Sequence, residues 1–161
     1  MAINLRYILI GIFLLSIGAL IYLIDRPPDQ TYLIFSLPFQ LSFYEVTPSF
    51  FGIIGNFLPH FLHVSAFILI TAGLLNCGKK GYLAICLFWL IIDAGFELGQ
   101  KYSTTAASIV PEWFEGIFLL ENTKSYFLNG TYCHFDMAAI ITGSVLAYMF
   151  LIHTHNDRRE L

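Results

Sequence analysis

Four runs of mostly apolar residues, at 6–24, 58–75, 81–100 and 136–152, dominate this chain. Each approaches the roughly 20 residues that carry an α-helix across a bilayer. In hydrocarbon every backbone N–H and C=O must find a partner inside the protein, so continuous apolar runs of this length fold as helices. Composition agrees. Hydrophobic residues make up 57% of the chain and charged residues 12%, and the mean hydropathy is +0.71, outside the range of an ordinary soluble domain. At 161 residues the chain makes one domain, 1–161. The expected fold is all-α: a four-helix transmembrane bundle with short interfacial or re-entrant segments in its two longer loops.

The first run is too long for the core of a cleaved signal peptide, and no good small-x-small site follows it; it reads as a retained signal anchor. Charge then sets the expected orientation. Arg6, Lys79, Lys80, Arg158 and Arg159 fall on one side and Arg26, Lys101 and Lys124 on the other. The positive-inside rule places both termini and the short NCGKKG turn in the cytoplasm. Acidic residues number 11 against 8 Lys and Arg, so no basic surface exists for nucleic acid. Cys77, Cys86 and Cys133 show no paired spacing, and no disulfide framework is expected. The longer loops carry the aromatic stretches TYLIFSLPFQLSFYEV and PEWFEGIFLL. Aromatic segments of this kind lie at the membrane interface or dip into one leaflet under protein cover. They either cap the bundle or wall an outward-facing cleft.

The apolar runs contain a few polar residues at telling depths. Asp93, Glu97 and Gln100 share one face of the third span. Ionisable groups inside a membrane segment are costly and normally face a protein interior or a watery cavity. The alternating direction of the spans brings His60 and His63, Glu97 and Gln100, and Asp136 to one level near the extracytoplasmic side, with Asp93 about a turn deeper. The expected polar cluster is therefore His63, Asp93, Glu97, Gln100 and Asp136. Most of these polar residues have a plainer reading. Asp136 can serve as a helix N-cap, His60 after Pro59 as an interfacial residue, His63 as a core histidine bonded to a carbonyl, and Gln100 as a helix terminator. Glu97 resists one, because the last turns of a helix disfavour negative charge. It must carry a proton and donate a hydrogen bond, or pair with a cation such as protonated His63. Gly95 and Gly99 form a GxxxG pair on roughly the opposite face, which suggests close packing against a neighbour there.

The segments HVSAF (His63, Phe67), ELGQ (Glu97, Gln100) and DMAAIITG (Asp136, Gly143) follow one another in the order and helix placement of a known pattern. Together the chain resembles the VanZ-like family of membrane proteins, named for a teicoplanin-resistance protein. The resemblance covers roughly the C-terminal two thirds. It implies a role in the cell envelope and in resistance to lipoglycopeptides, a bacterial inner-membrane location and no settled catalytic mechanism. Ile140 stands where that family usually has Asn, and the Gly-Arg pair that often precedes the Asp is replaced by Gly130-Thr131. If that Arg neutralises the carboxylates, His134 or His63 would have to take its place here.

Three functions compete at this level. The first is an outer-leaflet cleft that binds a lipid or lipid-linked cell-wall intermediate, with Glu97 and Asp136 on the head group and His63 as proton partner. The second is an accessory subunit of a larger membrane assembly, whose polar residues lock helices by hydrogen bonds worth about 0.6–2 kcal/mol each. The third is a metal site drawn from His60, His63, Glu97 and Asp136. No catalytic residues and no cofactor are assigned. The expected partners are membrane lipids and other membrane protein subunits.

Overall fold

A computed structural model describes residues 3–26, 43–44, 50–117 and 120–157. Among these residues there are four long helices: α1 (Leu5–Asp25), α2 (Gly52–Leu75), α3 (Lys79–Lys101) and α6 (His134–Asp157). All four are long and apolar enough to cross a membrane. Between α3 and α6 lie two short helices, α4 (Ser103–Ile109) and α5 (Thr123–Asn129), with a 3-10 turn at Glu112–Phe114. The chain is an all-helical membrane protein. The aromatic stretch at 31–46 lies outside the described residues except for Phe43 and Tyr44. The second stretch, 111–120, contains the 3-10 turn, with Trp113 exposed on its surface.

Helix α2 is the hub. Half of its apolar window is buried, against 22% for α1 and for α3. It packs along α1 on one side and α6 on another, while α3 rests mainly on α6. The contacts with α2 are close because small residues occupy them. A Cβ on Gly11 of α1 would come within 2.8 Å of the Ala66 carbonyl oxygen, and one on Gly143 of α6 would lie equally near the Phe61 carbonyl oxygen. Without a hydrophobic drive between helices in lipid, such backbone-to-backbone packing is what holds spans together. Ser65 adds a hydrogen bond of 3.2 Å from its hydroxyl to the Gly143 carbonyl.

The outward faces are apolar. Phe13, Ile53, Ile91 and Met149 are all exposed, and the bilayer is the solvent that covers them. The core at the end opposite the expected cluster contains polar atoms. The Tyr7 hydroxyl and Thr154 Oγ1 share a hydrogen bond of 2.6 Å, and Tyr7 and Tyr82 meet edge to face.

Element boundaries differ from the sequence expectation mainly at α2. It begins at Gly52 rather than at residue 58 and runs straight through Pro59. Pro59 is buried inside the helix instead of marking its first turn. The N-terminal turn of α2 is secured from another helix: the Asp25 carboxylate, at the end of α1, accepts the Phe51 N–H at 2.9 Å. At the other end Asn76 adopts φ 40°, ψ 54°, a left-handed cap that Asn tolerates, and its N–H reaches the Ala72 carbonyl.

Gly95 and Gly99 do not pack against a neighbouring helix backbone. Among the described residues a Cβ on Gly95 would meet nothing within 4 Å, and one on Gly99 would meet the ring of Phe127 on α5. These glycines instead line an apolar groove of about 300 Å³ whose other walls include Phe114 and Phe127.

Candidate functional site

The polar residues gather at the end of the bundle where α2 starts, α3 finishes and α6 starts. His60 projects from the third turn of α2, Glu97 from the second-last turn of α3 and Asp136 from the first turn of α6. One ligand atom from each lies within 4.8 Å of the other two. His60 Nε2 and Asp136 Oδ2 are 3.5 Å apart. Glu97 and Asp136 are buried and His60 is partly buried.

Local structure explains how two carboxylates are tolerated there. Glu97 accepts a hydrogen bond of 2.8 Å from the Cys133 backbone N–H. The Cys133 carbonyl takes the Met137 N–H at 3.3 Å, so Cys133 is the capping position of α6. Asp136 therefore stands inside the first turn and is not the cap. Both carboxylates face the positive end of the α6 dipole, where anions are stabilised. The cost that Glu97 incurs at the end of its own helix is offset at the start of the next.

A cation adds to this. Arg26 follows the last residue of α1, and its guanidinium acts electrostatically on His60, Glu97 and Asp136. It is held by a hydrogen bond of 2.8 Å from Nη2 to the Asn56 carbonyl and by the face of the Tyr22 ring, 4.8 Å away. It is a cation whose field reaches the site, where sequence reasoning looked to His134 or His63. His134 instead bonds the Tyr132 hydroxyl through Nδ1 at 3.1 Å, on the exposed surface. The signal for Arg26 was available: a span antiparallel to α2 delivers its last residues to the level of His60 and Asp136.

The expected five-residue cluster divides. His63 pairs with Asp93, not with Glu97: its Nδ1 lies 3.6 Å from Asp93 Oδ2. Asp93 Oδ2 is buried and has no hydrogen bond among the described residues. The His63 ring is held edge-on by Phe67, which stacks on Trp89 of α3, and Trp89 Nε1 donates to Thr71 Oγ1 at 2.9 Å. Gln100 turns away from both acid–imidazole pairs and hydrogen-bonds the Tyr126 side chain of α5. Burial, with smaller contributions from Tyr22 and Glu97, pushes the Tyr126 phenol well above its ordinary range. The four-residue metal set expected from sequence thus contracts to His60, Glu97 and Asp136.

No protein-family model, curated protein or solved structure matches this chain.

The arrangement offers a compact set of groups of both signs. Two carboxylates and an imidazole can accept or exchange protons and bind amines, hydroxyls or a cation, and Arg26 can bind an anionic oxygen. No side chain in it has the environment of an activated nucleophile. Cys133 contributes its backbone N–H and Cys86 is buried among apolar residues.

Proposed function

We propose that this protein binds the polar head group of a membrane lipid or lipid-linked cell-envelope intermediate at the extracytoplasmic end of its bundle. The observation that carries this reading is the convergence of His60, Glu97 and Asp136, from three helices, within 4.8 Å beside Arg26. A phosphate matches the guanidinium, and an amine or sugar hydroxyl matches the carboxylates. His60, beside Asp136, replaces His63 as the proton partner. The apolar groove along Gly95 and Gly99 lies at the same end of α3 and has the character needed for an acyl chain. The resemblance to VanZ-like proteins supports an envelope role in drug tolerance and a bacterial inner-membrane location. The distribution of basic residues supports cytoplasmic termini. No bond-making or bond-breaking step belongs to this reading.

Native mass spectrometry of the full chain, released from mild detergent, tests it. The wild type should carry phospholipid or a lipid-linked glycan precursor, and the Glu97→Gln/Asp136→Asn double variant should lose it while keeping its helical circular dichroism. An unchanged lipid complement in the folded double variant would rule the reading out.

One observation favours a second reading, an accessory subunit of a larger membrane assembly. The bond from Glu97 to the Cys133 N–H is structural in itself and needs no ligand. The same mass spectra distinguish the two, because an accessory subunit leaves the membrane with a protein partner of defined mass.

A further inference from the structure

We propose that His60 Nε2 and one carboxylate oxygen each from Glu97 and Asp136 form a three-ligand site for a divalent first-row cation of the Zn²⁺ or Mn²⁺ class. Nitrogen and oxygen donors of this kind suit those ions, and three protein ligands with an open fourth position describe a reactive rather than a purely structural metal site.

Spacing is the first argument. The 3.5 Å between His60 Nε2 and Asp136 Oδ2 is longer than a good hydrogen bond. It lies close to the edge of about 3.3 Å that tetrahedral geometry sets between two donors bound at about 2.0–2.1 Å. The widest separation in the triad, within 4.8 Å, closes to that edge by side-chain movement of about 1.5 Å. Support for the ligands is the second argument. Metal-binding carboxylates are themselves hydrogen-bonded by groups that fix their direction. Glu97 has such a partner in the Cys133 N–H. Since a carboxylate has two oxygens, holding one leaves the other for an ion.

Charge is the third. Arg26 and the start of α6 oppose a cation, and two carboxyl groups face them; a bound ion would hold both acids in the ionised form that a metal ligand requires. A divalent ion binds there at the cost of drawing Arg26 toward its other contacts, the Asn56 carbonyl and the Tyr22 ring. His63 and Asp93 form their own pair and supply no ligand.

The test uses the tag-free full chain in mild detergent, stripped with a chelator and reloaded with Zn²⁺ or Mn²⁺. Plasma mass spectrometry should find about one ion per chain. His60→Ala and Asp136→Asn should each weaken binding at least about tenfold, since even outer-shell changes cost that much. His63→Ala and Asp93→Asn should leave affinity as it was. X-ray absorption on the loaded wild type should show a shell of one imidazole with oxygen donors. That measurement decides the matter even if a variant fails to fold. A wild type that retains no ion, a shell with two imidazoles or a sulfur, or undiminished binding in folded His60→Ala would overturn the proposal. It stands apart from the head-group reading, because lipid carried by the chelator-stripped protein reports on that reading alone.

Discussion

Glu97 and Cys133 join the end of one transmembrane helix to the beginning of another: the carboxylate of the first accepts the backbone N–H of the second at 2.8 Å. Glu97 is almost wholly buried, so this bond is shielded from bulk solvent. Glu97→Ala leaves the Cys133 N–H without this acceptor and should destabilise the bundle by about 1–3 kcal/mol. Thermal unfolding in detergent, followed by helical circular dichroism, measures it. An unshifted midpoint would mean that the carboxylate holds nothing together.

The Asp25 carboxylate does for α2 what Glu97 does for α6. It accepts the Phe51 N–H with both oxygens, at 2.9 and 3.2 Å. Asp25→Ala should cost about 1 kcal/mol, as for other lost caps. The loss should be local, so hydrogen exchange in peptides covering the first turns of α2 should accelerate while those from α6 keep their protection. Uniform behaviour across the two helices would contradict the assignment.

Two glycines should respond in opposite ways. Gly143→Leu places a Cβ 2.8 Å from the Phe61 carbonyl oxygen and 2.7 Å from Val64 Cγ1, neither of which can retreat cheaply. A loss of about 1–3 kcal/mol is expected from such overpacking. Gly95→Ala meets nothing within 4 Å and should be neutral or stabilising by up to about 1 kcal/mol through helix propensity. Urea or thermal titrations of the two variants side by side would expose an error if their order were reversed.

Cysteines report sidedness. Cys77 lies in the turn between α2 and α3, and Cys133 starts α6 at the opposite end of the bundle. In single-cysteine variants in intact cells, a membrane-impermeant maleimide should label Cys133 from outside and Cys77 only after permeabilisation. Burial pushes the Cys77 thiol above its ordinary range, so less thiolate is present at neutral pH and its labelling should be slow there. The rate should keep climbing with pH beyond the point at which an ordinary thiol levels off. Labelling of Cys77 in unbroken cells would reverse the assigned orientation.

The spans were legible because hydrocarbon imposes one simple demand on length and polarity. The ends of α1, α3 and α6 follow the apolar runs to within a few residues. The start of α2 does not, since Pro59 reads as a helix beginning although a proline deeper in a helix is tolerated where packing supports it. The level of the polar residues was also legible, because span direction fixes depth. Their pairing was not. Helical spacing puts Asp93 and Glu97 on one stripe, yet the depth of a single turn decides that one meets His63 and the other meets His60 and the start of α6. Arg26 escaped because it was counted only as a charge outside the membrane. The backbone N–H of Cys133 escaped because a main-chain donor leaves no mark in residue identity. The GxxxG pair misled for a related reason: small residues permit close approach, but only a neighbour can take it up, and among the described residues none comes within 4 Å of a Cβ at Gly95.

The Tyr7–Thr154 bond ties the first span to the last across 147 residues of chain. A ribosome adding about 5–20 residues per second needs on the order of ten seconds to deliver the second partner after the first. Throughout that interval the bond between the first span and the last cannot form. Final closure of this protein is therefore a late event of biogenesis, and a nascent chain halted before its fourth span is left with an open seam along α2 and α3, the helices on which α6 packs.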